Sequence, residues 1–432
     1  MTHTLNIGLA GLGTVGTGVF RLLQNNKDDI SKRVGKAISV VSVSARDKTK
    51  DRGIDLNHTR WADNPLDMVD DPDVDLVVEL IGGEDGLARE LVEKALENSK
   101  PVVTANKALM AKHGYALAEL SRKTDTPLYY EAAIAGGIPI VKSIREGLGG
   151  NRISSVAGIL NGTCNYILTE MERTGAEFDV VLKDAQEKGY AEANPSFDID
   201  GIDAAHKICL LTSIAFGTKP DFDALPIKGI RDICSEDIHN AATLGYKIKL
   251  LAVAHNTDDG IVQKVSPCLI PADHSLAKVD GVLNAVYVTG DFVHSHFSVG
   301  PGAGEEPTAS AVASDILDYA VGNIRPVLGV PASDLKETTW VPLSDTQRSF
   351  YLRLPVLDKP GVLAEVAGIL NSHDISIETL IQIGRDPDQP VTIIMTTHEA
   401  NSGQVNKAIE EISKSDKSIA APCVIPIEPL DE

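Results

Sequence analysis

Positive charge is the scarce commodity in this chain: 40 Lys and Arg stand against 61 Asp and Glu, for a net charge of −21. A surface of that sign repels phosphate backbones and anionic headgroups, so neither nucleic acid nor a membrane surface is an expected partner. Long apolar runs are missing too. No stretch approaches the roughly 20 residues that a membrane-spanning helix needs. The opening MTHTLNIGLAGLG has neither the basic start nor the cleavage site of a secretory signal, and a cytoplasmic location is expected. Cysteine is sparse: Cys164, Cys209, Cys234, Cys268 and Cys423 are odd in number, scattered and without a C-x-x-C pair. That excludes a disulfide framework and gives no sign of a zinc site. What remains is 43% hydrophobic and 23% charged, a globular composition. The length suffices for about three domains with cores of their own.

The first domain is legible in its opening residues. LNIGLA (5–10) reads as a short buried strand, followed at once by Gly11-x-Gly13-x-x-Gly16 and the helix TGVFRLLQ. Between a strand and a helix, such a triplet gives a tight turn, lets backbone approach a pyrophosphate, and aims the helix N-terminus, with Thr14 and Val15, at that pyrophosphate. Further strands at ISVVSVSA, VDLVVELIG and PVVTA are interleaved with helices such as GLARELVEKALENSK, whose Ala88, Leu91, Val92, Ala95 and Leu96 share one face. The alternation is that of a Rossmann-type doubly wound parallel sheet. At the end of the second strand an NAD site wants Asp or Glu, whereas this chain has Ser44, Ala45 and Arg46. A guanidinium there pairs with a 2′-phosphate, so NADP(H) is preferred, with NAD(H) possible if Arg46 only solubilises the loop.

EANPSFDIDGIDAAHK (192–207) puts Glu192, Asp198, Asp200 and Asp203 ahead of Lys207 and runs straight into ICLLTSIAFG. Asp203 and Lys207 are four residues apart and share one helix face. A calcium loop is set aside, because the position of its bidentate Glu holds Cys209. Acids plus one lysine at the mouth of a buried helix suit a small substrate that carries an ammonium group. A reduction also needs a group to neutralise a developing alkoxide, and a protonated lysine supplies both charge and proton. From the residues alone, two other readings stay open: Schiff-base chemistry at Lys107 or Lys207, and a cofactor-gated sensor without turnover.

The pattern changes after ETTWVPLSDTQRS (337–349), which reads as a linker. FYLRLPV, VLAEVAGILNSH, ISIETLIQ, PVTIIMTT, SGQVNKAIEEIS and APCVIPI give β-α-β-β-α-β, a ferredoxin-like order.

Three further stretches, VVTANKALMA (102–111), GILNGTCNYIL (158–168) and GPGAGEEPTASAVASDI (300–316), join GYAEANPSFDIDGIDAAHK in a close resemblance to homoserine dehydrogenase along essentially the whole chain. The resemblance implies NAD(P)H-dependent reduction of L-aspartate 4-semialdehyde to L-homoserine, on the route to threonine, methionine and isoleucine. It implies that Lys207 is the proton donor, that Asp203 orients it, and that Lys107 lies between nicotinamide and substrate. Glu192, Asp198 and Thr163 would bind the amino-acid end of the substrate, and Gly189 and Gly304 would border the cofactor. Glu131, Ile134, Gly136 and Ile138 of EAAIAGGIPI would hold a monovalent cation, Na⁺ or K⁺. Asn194 stands where the family usually has Asp. Asp358-Lys-Pro-Gly361-Val-Leu resembles an ACT regulatory domain, which implies an amino-acid site at Asp358, Gly361 and Asn371, L-threonine as effector, and a homodimer or homotetramer. The expected division is 1–130 for the cofactor domain, completed by about 311–336, then 131–310 for substrate binding and dimerisation, and 350–432 for the ACT domain.

Overall fold

The computed structural model describes residues 4–383 and 390–430. Six strands, β1 (Leu5–Ala10), β2 (Ile38–Ser44), β3 (Arg60–Trp61), β4 (Leu76–Glu79), β5 (Val102–Thr104) and β6 (Leu128–Tyr129), form one sheet in the order β3-β2-β1-β4-β5-β6. Every pairing in it is parallel. Such a sheet is covered on both faces, which is why its central strands read as unbroken apolar runs. Helices Thr14–Asn25 and Glu305–Val321 pack on one face, through Val19, Phe20, Leu23, Ala309, Val312 and Ile316. Leu87–Glu97 and Lys107–Thr124 cover the other, and the expected face Ala88, Leu91, Val92, Ala95 and Leu96 is the buried one. The chain therefore returns, some three hundred residues on, to complete its first layer. Gly18 makes this close approach possible: a Cβ there would lie 2.8 Å from Glu305 Cγ and 3.1 Å from Ala309 Cβ.

The second sheet is mixed. It comprises β7 (Ile153–Ile159), β8 (Tyr246–Thr257), β9 (Gly260–Pro271), β10 (Leu283–Gly290), β11 (His294–Pro301), β12 (Gln347–Leu357), β13 (Ile377–Ile383), β14 (Pro390–Thr397), β15 (Ala400–Asn401) and β16 (Cys423–Ile427). Its order is β11-β10-β7-β8-β9-β16-β12-β14-β13, with β15 on β12. The last four strands of that path are the antiparallel ferredoxin-like order of the C-terminal module. One parallel pair, Ile427 with Leu269, joins this module to the rest.

Two ionic clusters reinforce that seam. Glu428, fully buried, meets Lys264 at 2.8 Å, Arg348 at 2.7 Å and His255 at 2.8 Å. Arg353 on β12 grips buried Asp237 at 2.6 Å, on helix Ser235–Thr243. The 337–349 stretch, read as a linker, is itself fastened. Ile261 N donates to Thr339 O, Val341 N donates to Ile261 O, Trp340 Nε1 donates to Asp221, and the strand already begins at Gln347.

Helix Ile202–Phe216 is enclosed from Asp203 to Ile214 and packs against β7, β8 and helix Lys107–Thr124. Gly201 (φ +86°) admits the turn into it, where a Cβ would press on Ile227 and Val265 at 3.1 Å. Among the described residues no helix is long and apolar enough to cross a membrane.

Candidate active site

A cavity of about 700 Å³ runs between the two sheets, from Val15, Leu80–Gly82 and Lys107 on the side of the first to Asn161–Thr163, Asp198, Asp203 and Lys207 on the side of the second. At its first end, Gly11 has φ +109°, and a Cβ there would lie 2.5 Å from Leu80 O. A Cβ on Gly16 would lie 1.9 Å from Gly11 O, so helix and strand pack only because it is glycine. Nothing stands within 4 Å of a Cβ on Gly13, leaving open space beside an N-terminus without a side-chain cap. These features match the three glycine roles of a dinucleotide site.

Glu79, which sequence reading missed, closes the floor. Its carboxylate, fully buried at the end of β4, accepts from Ile81 N (2.7 Å), Gly82 N (3.0 Å) and Thr104 Oγ1, and so fixes the 80–83 loop that lines the cavity. Arg46 is exposed just past β2 and makes no ion pair among the described residues. Arg52, also missed, donates from Nε to Leu12 O at 2.9 Å and packs with Lys48 against Trp61.

At the second end, three charged groups interlock. Asp203 accepts from Lys107 Nζ at 2.7 Å on one oxygen and from Lys207 Nζ at 2.8 Å on the other. Lys207 is 6% exposed, and its second proton goes to Leu160 O at 2.6 Å, leaving the third for the cavity. Asn161, also unforeseen, donates to Asp203 (2.9 Å) and Asp198 (2.8 Å), while its carbonyl caps helix Gly162–Thr174 at Cys164 N. Lys107 opens its own helix and is held in place by the Asn106 cap, whose side chain accepts from Leu109 N and donates to Gly83 O.

Burial works to raise the Asp203 carboxyl, but Lys207 and Lys107 override it and hold it well below the usual carboxylate range. Burial pulls Lys207 below the ordinary lysine value despite Asp203. For the less enclosed Lys107, Asp203 outweighs burial and the value rises. Asp198 is pushed up, by burial first and by its neighbour Asp203 as well.

Thr163 donates to Tyr190 O (2.7 Å), and Glu192 stands exposed on the rim near Gly189. Val15, Lys107, Thr163, Gly189, Glu192, Asp198, Asp203, Lys207 and Gly304 thus line one cavity. Gly11, Gly13, Thr14 and Gly16 form its glycine turn. His206, one residue before Lys207, is buried.

Glu131 lies under this floor, 1% exposed, its carboxylate accepting from Val141 N (2.8 Å) and Lys142 N (2.9 Å). Gly136 (φ +54°) turns the backbone so closely over Gly302 that a Cβ would lie 2.5 Å from its carbonyl. Ile138 O accepts from Ile140 N, whereas the Ile134 and Gly136 carbonyls accept no hydrogen bond from the described residues.

In the C-terminal module, Gly361 (φ +90°) starts helix Val362–Ser372 with no side-chain cap, next to Asp358. Asn371 lies at the far end of that helix, about 15 Å away at 1.5 Å per residue. One chain therefore does not bring Asn371 together with Asp358 and Gly361, contrary to expectation.

A glycine turn at the first end of the cavity and a buried lysine with a spare proton at the second define a nicotinamide-dependent oxidoreductase. The comparisons with known proteins narrow this class. Family profiles for the homoserine dehydrogenase NAD-binding domain, homoserine dehydrogenase and the ACT domain match residues 11–131, 139–317 and 350–416. Homoserine dehydrogenase of Neisseria gonorrhoeae is 44% identical over 95% of this chain and 96% of its own. The crystal structure of a homoserine dehydrogenase from Thiobacillus denitrificans superposes with a TM-score of 0.94, at 43% identity and 99% coverage of both chains. A hyperthermophilic archaeal homoserine dehydrogenase in complex with NADPH matches at TM-score 0.64 and 26% identity, over 76% of this chain and 100% of its own. The chain belongs to the homoserine dehydrogenase family, oxidoreductases that act on a CH–OH group, and it carries an ACT domain.

Proposed function

We propose that this homoserine dehydrogenase reduces L-aspartate 4-semialdehyde with NADPH in preference to NADH, on the route to threonine, methionine and isoleucine, and that Lys207 is its general acid. The observation that carries the reading is the Lys207 ammonium at the cavity, with two hydrogen bonds, to Asp203 and Leu160 O, which leaves its third N–H to a substrate. When bound at the glycine turn, the cofactor supplies the hydride. Lys207 Nζ gives its proton to the aldehyde oxygen as negative charge develops there, so the alkoxide never forms free. Asp203 keeps both lysines in place and offsets part of their charge, and Lys107 lies between nicotinamide and substrate. Glu192 and Asp198 receive the substrate ammonium, with Thr163 close by. In the reverse direction, neutral Lys207 takes the hydroxyl proton of homoserine.

The preference for NADPH is supported by Arg46, a free guanidinium where an NAD site has a carboxylate. A monovalent cation, Na⁺ or K⁺, fits the segment from Glu131 to Ile138: the Ile134 and Gly136 carbonyls have no donor, and the Glu131 carboxylate retains lone pairs beyond its two N–H partners. L-Threonine is the proposed effector at the Asp358–Gly361 turn, where uncapped N–H groups suit an amino-acid carboxylate. Asn371 joins that site only from a second copy of the chain, in a homodimer or homotetramer. The enzyme is proposed to work in the cytoplasm.

The direct test follows nicotinamide absorbance with aspartate semialdehyde and either NADPH or NADH, with Na⁺, K⁺ or neither, and with threonine added. Turnover with NADPH that is no faster than with NADH would remove the Arg46 reading. Threonine inhibition that survives Asp358→Ala unchanged would remove the regulatory one.

A further inference from the structure

Phe197 is 42% exposed beside Lys107, which lines the cavity, yet its ring is not loose. It stacks on His206 with centroids 5.6 Å apart and planes at 24°, and His206 stacks on Phe222 at 4.3 Å and 7°. The three rings form a short column from half-buried Phe222 to exposed Phe197. Its middle ring is enclosed, at 5% exposure, and is a flat spacer between the two phenyl rings.

At the outer end of the column, Lys107 Nζ lies 5.5 Å from the Phe197 centroid. This is the same ammonium that meets Asp203 at 2.7 Å. The Lys107 side chain is 33% exposed and has four rotatable bonds, so rotamers that reach into solvent compete with the one docked on Asp203. A ring face beside the docked position attracts the ammonium through its quadrupole, and the ring also fills part of the space that the other rotamers sweep.

We propose that Phe197, backed by His206 and Phe222, is a positioning residue that holds the Lys107 ammonium on Asp203. The proposal rests on the reading that Lys107 lies between nicotinamide and substrate, and it deepens that reading.

The test compares Phe197→Leu and Phe197→Tyr in the full chain, each alone and combined with Lys107→Ala. Phe197→Leu should lower kcat/KM by about 2- to 5-fold, chiefly through KM for the semialdehyde, the size expected for one partly exposed cation–ring contact. Phe197→Tyr, which keeps the ring, should restore it. In the Lys107→Ala background, Phe197→Leu should have no further effect.

A second readout does not depend on turnover. After reductive ¹³C-methylation, the dimethyl-lysine resonance absent from Lys107→Ala identifies Lys107, and its ring-current shift should vanish in Phe197→Leu and persist in Phe197→Tyr. A Phe197→Leu loss of equal factor in both backgrounds, or an unmoved resonance, would overturn the positioning role while the reading of the site stands. A Lys107→Ala enzyme with unchanged kcat/KM would instead sink the reading of Lys107, and the proposal with it.

Discussion

Replacing Lys207 by methionine removes the ammonium while keeping the length and most of the volume of the buried side chain. The loss of a positioned acid typically lowers the rate by 10²- to 10⁴-fold, equivalent to about 3 to 5 kcal/mol of barrier. The structure places the expectation in the lower part of that range. Lys107 stays 2.7 Å from the other oxygen of Asp203, so one cation of the triad survives and part of the positive field at the aldehyde survives with it. A fall in kcat of about 10²- to 10³-fold is therefore expected. Asp203 keeps one partner, so its carboxylate is not left as a lone buried charge, and the fold should tolerate the change. Cofactor affinity should barely move, because the glycine turn lies at the opposite end of the cavity. The assay is NADPH consumption at saturating cofactor and semialdehyde, paired with a fluorescence titration of NADPH. Near-normal kcat would refute Lys207 as the acid. A loss confined to NADPH binding would refute the orientation of the cavity.

Three other outcomes are expected. Homoserine oxidation needs neutral Lys207, and because burial lowers its pKa, the rate should rise with pH through a midpoint below the ordinary lysine value of 10.5; a flat profile from neutral to alkaline pH would exclude lysine as the base. Arg46→Ala should weaken NADPH more than NADH in direct titrations, since only NADPH carries the 2′-phosphate. Arg353→Met should lower stability by about 3 kcal/mol in urea unfolding, because it leaves the buried Asp237 carboxylate with only Tyr351 and Cys234 as side-chain partners.

The strand–turn–helix start and the four-residue step from Asp203 to Lys207 were legible because both are local: spacing alone puts those groups on one face. Lys107 on Asp203 was not legible from spacing, since nearly a hundred residues separate them and only the packing of two helices brings them together. Asn161 and Glu79 escaped notice because an amide or carboxylate beside a strand end looks like any surface polar group until the loop it holds is seen. The two-residue strand β3 carries too little pattern to stand out. The resemblance puts Asn371, at the polar end of its helix, in the effector site with Asp358 and Gly361, but a straight helix carries its two ends apart.

The pairing of β9 with β16 also has a consequence for synthesis. β9 is complete at Pro271, but the neighbour of its Leu269 end, Cys423–Ile427, is translated only after the rest of the C-terminal module. At ~5–20 residues per second, the Leu269 end of that strand edge stays open for about ten seconds or more, with Lys264 and His255 still lacking the carboxylate of Glu428. An open edge is a template for pairing with other chains. A ribosome paused within the C-terminal module would therefore hold out a half-built sheet, and chains cut short there should aggregate rather than accumulate as an unregulated enzyme.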